Sequence, residues 1–187
     1  TMCTFLGIAG KITPDDIDEN FIKNSELVFL EGYLWDEGQP KAAFDKALAL
    51  ANKSAMSLSD KFCVDRHKKS FYDLVKNKLD IIFANEQEIM ELIDAKSFND
   101  VIEFGKNLNK TLVITRSDKG SIAIKGPEIV ECEGQKNLKL VDLTGAGDLF
   151  ASGFLHGCIN KTSIKESLQK GTEMASQIIQ KIGARLN

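Results

Sequence analysis

Short apolar runs rich in β-branched residues recur along this sequence, and amphipathic helical patterns fill the gaps between them. Val28-Phe29-Leu30, Ile81-Ile82-Phe83-Ala84 and Leu112-Val113-Ile114-Thr115 are the clear runs, with Met56-Ser57-Leu58-Ser59 a weaker one. Continuous rather than alternating hydrophobicity suits strands buried on both faces, as in a parallel sheet. After Pro40, the residues Ala43, Phe44, Ala47, Leu48 and Ala51 fall at helical spacing and predict a helix over 40–52. Phe71, Leu74, Val75 and Leu79 repeat the pattern, as do Ile89, Leu92 and Ile93, and then Phe98, Val101, Ile102, Phe104 and Leu108. Thr13-Pro14-Asp15-Asp16 reads as an N-cap, a proline at the first helical position and acids in the first turn. Strand–helix alternation with short links predicts a doubly wound, mostly parallel α/β sheet flanked by helices.

After Thr115 the texture changes. Residues 121–125 and 128–132, separated by Gly126-Pro127, predict an antiparallel hairpin near 121–132. A loop then leads into Gly145-Ala146-Gly147, followed by helices predicted over about 147–159 and 163–182, with Gly183 as a natural stop. These patterns run the whole length, so the 187 residues, 43% of them hydrophobic, are expected to build one domain around one core.

A net charge of −3 without long runs of either sign argues against nucleic acid or an anionic membrane surface as the main partner. No apolar stretch approaches the roughly 20 residues of a membrane span, and the N-terminus lacks a signal-peptide layout. Cys3, Cys63, Cys132 and Cys158 lie far apart, and with two histidines in all a Cys/His zinc site is disfavoured. Reduced thiols in a cytoplasmic protein are the expectation.

The sharpest chemistry sits in Val141-Asp142-Leu143-Thr144-Gly145-Ala146-Gly147-Asp148. A Gly-Ala-Gly turn opening a helix leaves backbone N–H groups pointing outward, and the macrodipole adds positive charge there. Small side chains let a phosphate approach closely. Asp148, in the first turn, can accept a proton from a hydroxyl as that hydroxyl attacks a phosphoryl group. The plainer reading is a helix start capped by Thr144, with Asp148 favourable to the dipole. Asn85-Glu86-Gln87-Glu88 ends an apolar strand where α/β sheets place ligands. It suits magnesium–phosphate work, and it equally suits an Asn N-cap with a Glu capping partner.

The octapeptide resembles the second motif of the PfkB kinases, usually written D-T-x-G-A-G-D, with Leu143 in place of the usual threonine. Asn85 and Glu88 match that family's N-x-x-E. Thr115-Arg116-Ser117-Asp118-Lys119-Gly120 stands where the family shows T-x-G-x-x-G, with Ser117 for the first glycine. Glu31-Gly32-Tyr33-Leu34-Trp35, Leu58-Ser59-Asp60 and Cys63-Val64-Asp65-Arg66-His67 resemble a bacterial adenosine-kinase-like subgroup.

The resemblance implies a ribokinase-like fold whose nucleotide-binding, catalytic part is this chain, with the substrate-side N-terminal part and the lid absent. Asp148 becomes the base, and Gly145, Ala146 and Gly147 the anion hole. Asn85, Glu88, Thr115, Gly120, Thr144, Met174, Ile178 and Gly183 become the ATP-side residues. Glu88 would serve Mg2+ through water, and Asp142 a monovalent cation such as K+. The acceptor would be a sugar or nucleoside, with ribose-containing compounds favoured.

Thr1-Met2-Cys3-Thr4-Phe5-Leu6 already reads as strand-like, which suits either a tag remnant or a cut through a longer protein. A sheet lacking its middle would expose strand edges, so a homo-oligomer or pairing with a missing N-terminal segment is expected. Without a substrate side, a non-catalytic nucleotide-binding or purely structural fragment is the alternative to a kinase.

Overall fold

The computed structural model describes residues 5–35 and 38–186. Six strands form one sheet in sequence order: β1 (Val28–Glu31), β2 (Ser54–Ser57), β3 (Ile81–Asn85), β4 (Thr111–Thr115), β5 (Ser121–Lys125) and β6 (Glu128–Cys132). The first four run parallel, and the hairpin β5–β6 adds antiparallel to β4. The helices are α1 (Glu19–Asn24), α2 (Gln39–Leu50), α3 (Lys61–Asp73), α4 (Glu86–Leu92), α5 (Phe98–Asn107), α6 (Ala146–Ile159) and α7 (Ile164–Ile178).

Alternation along each strand divides the core in two. Leu30, Met56, Ile82, Leu112 and Ile122 point to one face, where they pack on Phe44 of α2, Phe71 of α3, Ile89 of α4 and Val101 of α5. Ala55, Ile81, Phe83, Val113 and Ala123 point to the other, against Phe150, Phe154 and Leu168 of α6 and α7. Strands in sequence order with right-handed crossovers put every crossover helix on the same face. The second layer is therefore supplied by the C-terminal pair α6 and α7, which lie across the sheet after the hairpin.

Several local expectations shift. The weak strand expected at 56–59 is Ser54–Ser57, because Ser54 is buried with its N–H and hydroxyl donating to Asp80 Oδ2 at 2.8 and 3.2 Å. Buried polar groups satisfied in this way leave no apolar signature. The helix expected through Leu79 is α3 continued by one π-helical turn, Leu74–Lys78. Thr13–Asp16 makes a 3-10 turn with a capping box, and the α-helix starts afresh behind Asp18. The last helix stops at Ile178 rather than 182. Of the strand-like opening, Thr1–Thr4 lie outside the described residues, and Phe5-Leu6 form no strand. No helix among the described residues is long and apolar enough to cross a membrane.

Candidate active site

At the C-terminal end of the parallel strands a cleft of about 360 Å³ opens between the sheet and the start of α6. It brings together Asn85, Glu88 and Thr115 with Thr144, Gly145, Ala146, Gly147 and Asp148. Residues more than fifty positions apart in sequence thus line one space, at the place where open α/β sheets bind ligands.

The α6 start is built by two glycines doing different things. Gly145 is the N-cap, at φ +79°, and a Cβ there would stand 2.8 Å from the Ala184 Cβ. Only glycine fits that conformation and that gap. Gly147 has nothing within 4 Å of where a Cβ would be, so its bareness leaves room on the open side. No side chain caps α6. Thr144, the expected cap, instead donates its hydroxyl and N–H to Asp142 Oδ1, at 2.7 and 3.0 Å. The Ala146 N–H donates to the Leu143 carbonyl at 3.2 Å, and the other first-turn N–H groups of α6 are left for whatever enters the cleft.

Asp142 is a clasp. Its other oxygen, Oδ2, accepts from the Gly183 N–H at 2.9 Å, tying the loop before α6 to the segment after α7. These donors, with the Gly183 amide foremost, hold its carboxyl below the usual range. Gly183 therefore joins the site through Asp142 and does not line the cleft, nor does Met174. Ile178 is fully buried and belongs to the core.

At the start of α4, Asn85 and Glu88 make a reciprocal capping box. Asn85 Oδ1 accepts from the Glu88 N–H at 2.9 Å, while Glu88 Oε2 accepts from the Asn85 N–H at 2.9 Å. Asn85 Nδ2 adds a bond to Glu88 Oε1 at 2.6 Å. Burial pushes the Glu88 carboxyl up to about 7; the Asn85 amide pulls it back and Asp60 adds to the rise.

After β4, Ser117 takes the left-handed conformation at φ +54°, so serine carries a turn that usually asks for glycine. Arg116 braces this turn, its Nε donating to Glu86 Oε2 at 3.0 Å and its guanidinium lying 3.8 Å from the Phe98 ring centroid. Gly120 sits outside the cleft. A Cβ there would strike the Cys132 carbonyl and the Gly134 nitrogen, so protein packing accounts for it.

Sequence reasoning did not assign Glu31, Tyr33, Ser57, Ser59 and Phe150 to the site, yet all five line the cleft. Burial and the nearby negative charge of Asp148 raise the Glu31 carboxyl above its ordinary value. Burial, with Asp60 beside it, raises the Tyr33 phenol. The available signal was positional: Glu31 and Ser57 are the last residues of parallel strands.

The model of the pfkB family carbohydrate kinases matches residues 1–187. A 5-dehydro-2-deoxygluconokinase of Listeria monocytogenes is 27% identical over 183 residues, covering 91% of this chain and 55% of its own length. The crystal structure of adenosine kinase from Sinorhizobium meliloti superposes with a TM-score of 0.91 at 35% identity, over 95% of this chain and 56% of that one. A ribokinase II from E. coli, solved in complex with ATP and Mg2+, superposes at a TM-score of 0.83 and 18% identity, over 94% and 59%, a likeness of fold alone. The chain spans about half the length of the curated relatives it matches.

Proposed function

The chain belongs to the pfkB family of carbohydrate kinases, and from that premise we propose that it forms the ATP-side, catalytic part of a kinase phosphorylating a hydroxyl of a sugar or nucleoside. The observation that carries the reading is Asp148 in the first turn of a helix whose N-terminus has no side-chain cap and faces the cleft. In the reaction Asp148 takes the proton of the acceptor hydroxyl as its oxygen bonds to the γ-phosphorus. The bond from that phosphorus to the bridging oxygen breaks, and ADP leaves. The N–H groups at the α6 start, those of Gly145 and Gly147 foremost, meet the charge on the transferring phosphoryl oxygens. Thr115 borders the nucleotide from the sheet side.

Magnesium, bound with ATP, would neutralise phosphate charge. Both Glu88 oxygens already accept from Asn85, which fits holding the ion through water and not directly. For K+, Asp142 offers a carboxylate whose two oxygens are engaged by Thr144 and Gly183; its part in a cation site is read by titrating activity with K+. A ribose-containing acceptor is favoured by the similarity to the S. meliloti adenosine kinase. Reducing, cytoplasmic surroundings suit the described cysteines Cys63, Cys132 and Cys158, none of which is in a disulfide.

Asp148→Asn tests the reading, in this chain and in any longer native form. Turnover should fall about 10²–10⁴-fold, while ATP binding measured by calorimetry stays within a few-fold of wild type. Activity that survives the substitution overturns Asp148 as base. A wild type that binds ATP and phosphorylates no sugar or nucleoside favours the non-catalytic reading. Among the described residues β1 pairs on one side only, and its free edge is the proposed place for a second copy or a further segment to add. Sedimentation velocity should show self-association, and a well-behaved monomer in dilute solution overturns that expectation.

A further inference from the structure

The loop between β4 and β5 runs against its own backbone preference. Residues 116–120 carry the chain from Thr115 to its antiparallel ladder partner Ser121. Inside the loop the Arg116 N–H donates to the Gly120 carbonyl at 2.8 Å, and the Gly120 N–H to the Ser117 carbonyl at 3.1 Å. This path needs Ser117 at φ +54°. A side chain disfavours that left-handed state by about 5- to 30-fold in population, so something else must hold the loop in shape.

Asn85 and Thr115 are ladder partners, and both line the cleft. The next residue on each strand is charged: Glu86 begins α4, and Arg116 begins the loop. Arg116 Nε donates to Glu86 Oε2 at 3.0 Å, and Lys119 Nζ stands 3.8 Å from Glu86 Oε1, so the loop engages both carboxylate oxygens. The guanidinium also lies 3.8 Å from the ring centroid of Phe98, the first residue of α5. The Arg116 and Glu86 side chains are only 19% and 26% exposed, so water screens this pair less than a surface ion pair. One arginine thus fastens the loop to the starts of two helices, one residue behind the cleft.

We propose that Arg116 is a positioning residue for the nucleotide: by gripping Glu86 and Phe98 it holds Ser117 left-handed and keeps the loop in the shape that borders ATP. The proposal rests on the kinase reading above, in which Thr115 faces the nucleotide. Without the grip the loop spends part of its time in other conformations, and apparent ATP affinity falls by the fraction still competent. A competing account of the same pair is electrostatic: Arg116 would serve by cancelling a carboxylate near the phosphates. The two differ in sign for Glu86→Gln, which weakens the grip but also removes the charge.

Calorimetric titration with ATP plus Mg2+ separates them without requiring turnover. The whole protein is compared as wild type, Arg116→Ala, Ser117→Gly, the double variant and Glu86→Gln, with circular-dichroism melts checking that each is folded. Arg116→Ala should weaken ATP by about 5- to 30-fold, the population that the left-handed state loses once the grip is gone. Glycine adopts positive φ as readily as negative, so Ser117→Gly alone should bind ATP much as wild type does. The double variant should recover most of the affinity lost in Arg116→Ala, which a general loss of packing would not do. Glu86→Gln should fall between wild type and Arg116→Ala, and it carries the test if Arg116→Ala does not fold. Wild-type affinity in Arg116→Ala, or a double variant no better than Arg116→Ala, overturns the proposal. So does Glu86→Gln binding ATP as tightly as wild type or tighter, in favour of the electrostatic account. A wild type that binds no ATP overturns it together with the kinase reading. The expected affinities without phosphorylation would uphold Arg116 and count against Asp148 chemistry alone.

Discussion

Two helices present their N-termini to the same cleft, and they are finished in opposite ways. Helix α4 is closed: Asn85 and Glu88 cap one another reciprocally, and the Glu88 carboxyl is buried. Helix α6 is open: its N-cap is Gly145, no side chain reaches its amides, and Thr144 is drawn aside to Asp142. A side-chain cap is worth about 0.5–2 kcal/mol, so leaving α6 uncapped forgoes stability at that spot. The same unpaired amides and the helix dipole make an anion site. On the proposed reading, the contrast favours α6 over α4 for the phosphate, although both carry an acid in the first turn.

Asp148→Asn has the largest expected effect, because it removes the proposed base and leaves the open helix intact. Next come the two glycines, which break the comparison in different places. Gly145→Ala puts a methyl against Ala184 and forces alanine to φ +79°. It should destabilise by about 1–2 kcal/mol from the left-handed conformation alone, and weaken ATP binding as the α6 start shifts. Gly147→Ala meets nothing in the protein. In a helix, alanine is better than glycine by roughly 0.5–1 kcal/mol, so thermal stability should hold or rise while ATP affinity falls at least tenfold. If Gly147→Ala binds ATP as wild type does, phosphate does not approach the α6 backbone closely and the contrast between the helices loses its meaning. Melting curves and ATP titrations on the pair read both quantities.

The parts of this arrangement that are contiguous in sequence were legible; the parts assembled across strands were not. Runs such as 81–84 and 112–115 declare buried strands because both faces are covered, and Asp142–Asp148 declares a glycine-built helix start with an acid in its first turn. The Asp142–Gly183 hydrogen bond joins residues 41 positions apart, and nothing local announces it. Glu31 meets Ser57 only through parallel pairing, so a carboxylate ending an edge strand looked unremarkable until the strand order was known. Gly120 shows the converse. Its motif position suggested nucleotide contact, whereas the chain crossing at Cys132–Gly134 already requires glycine there. Ile178 was placed near the nucleotide by its helix, but its side chain faces the core.

The smallest of the expected effects sharpens the closed side of the comparison. Burial raises the Glu88 carboxyl from its ordinary 4.5 to about 7, so the folded protein keeps a proton that the unfolded chain has lost. With fewer protons on the unfolded chain, stability should fall as pH rises from about 4.5 to about 7 and level off above, by at most about 1.4 kcal/mol per pH unit. Glu88→Gln keeps a capping oxygen for the Asn85 N–H, but it loses the acceptor now facing Asn85 Nδ2. The variant should therefore melt slightly lower than wild type near pH 5, and the gap should close or reverse by pH 8. For a chain of this length each kcal/mol shifts the melting temperature by about 2–4 °C, which differential scanning calorimetry across that range resolves. Parallel pH profiles for wild type and variant would mean that Glu88 is ionised throughout, and α4 would then bring a full negative charge to the cleft beside the open amides of α6.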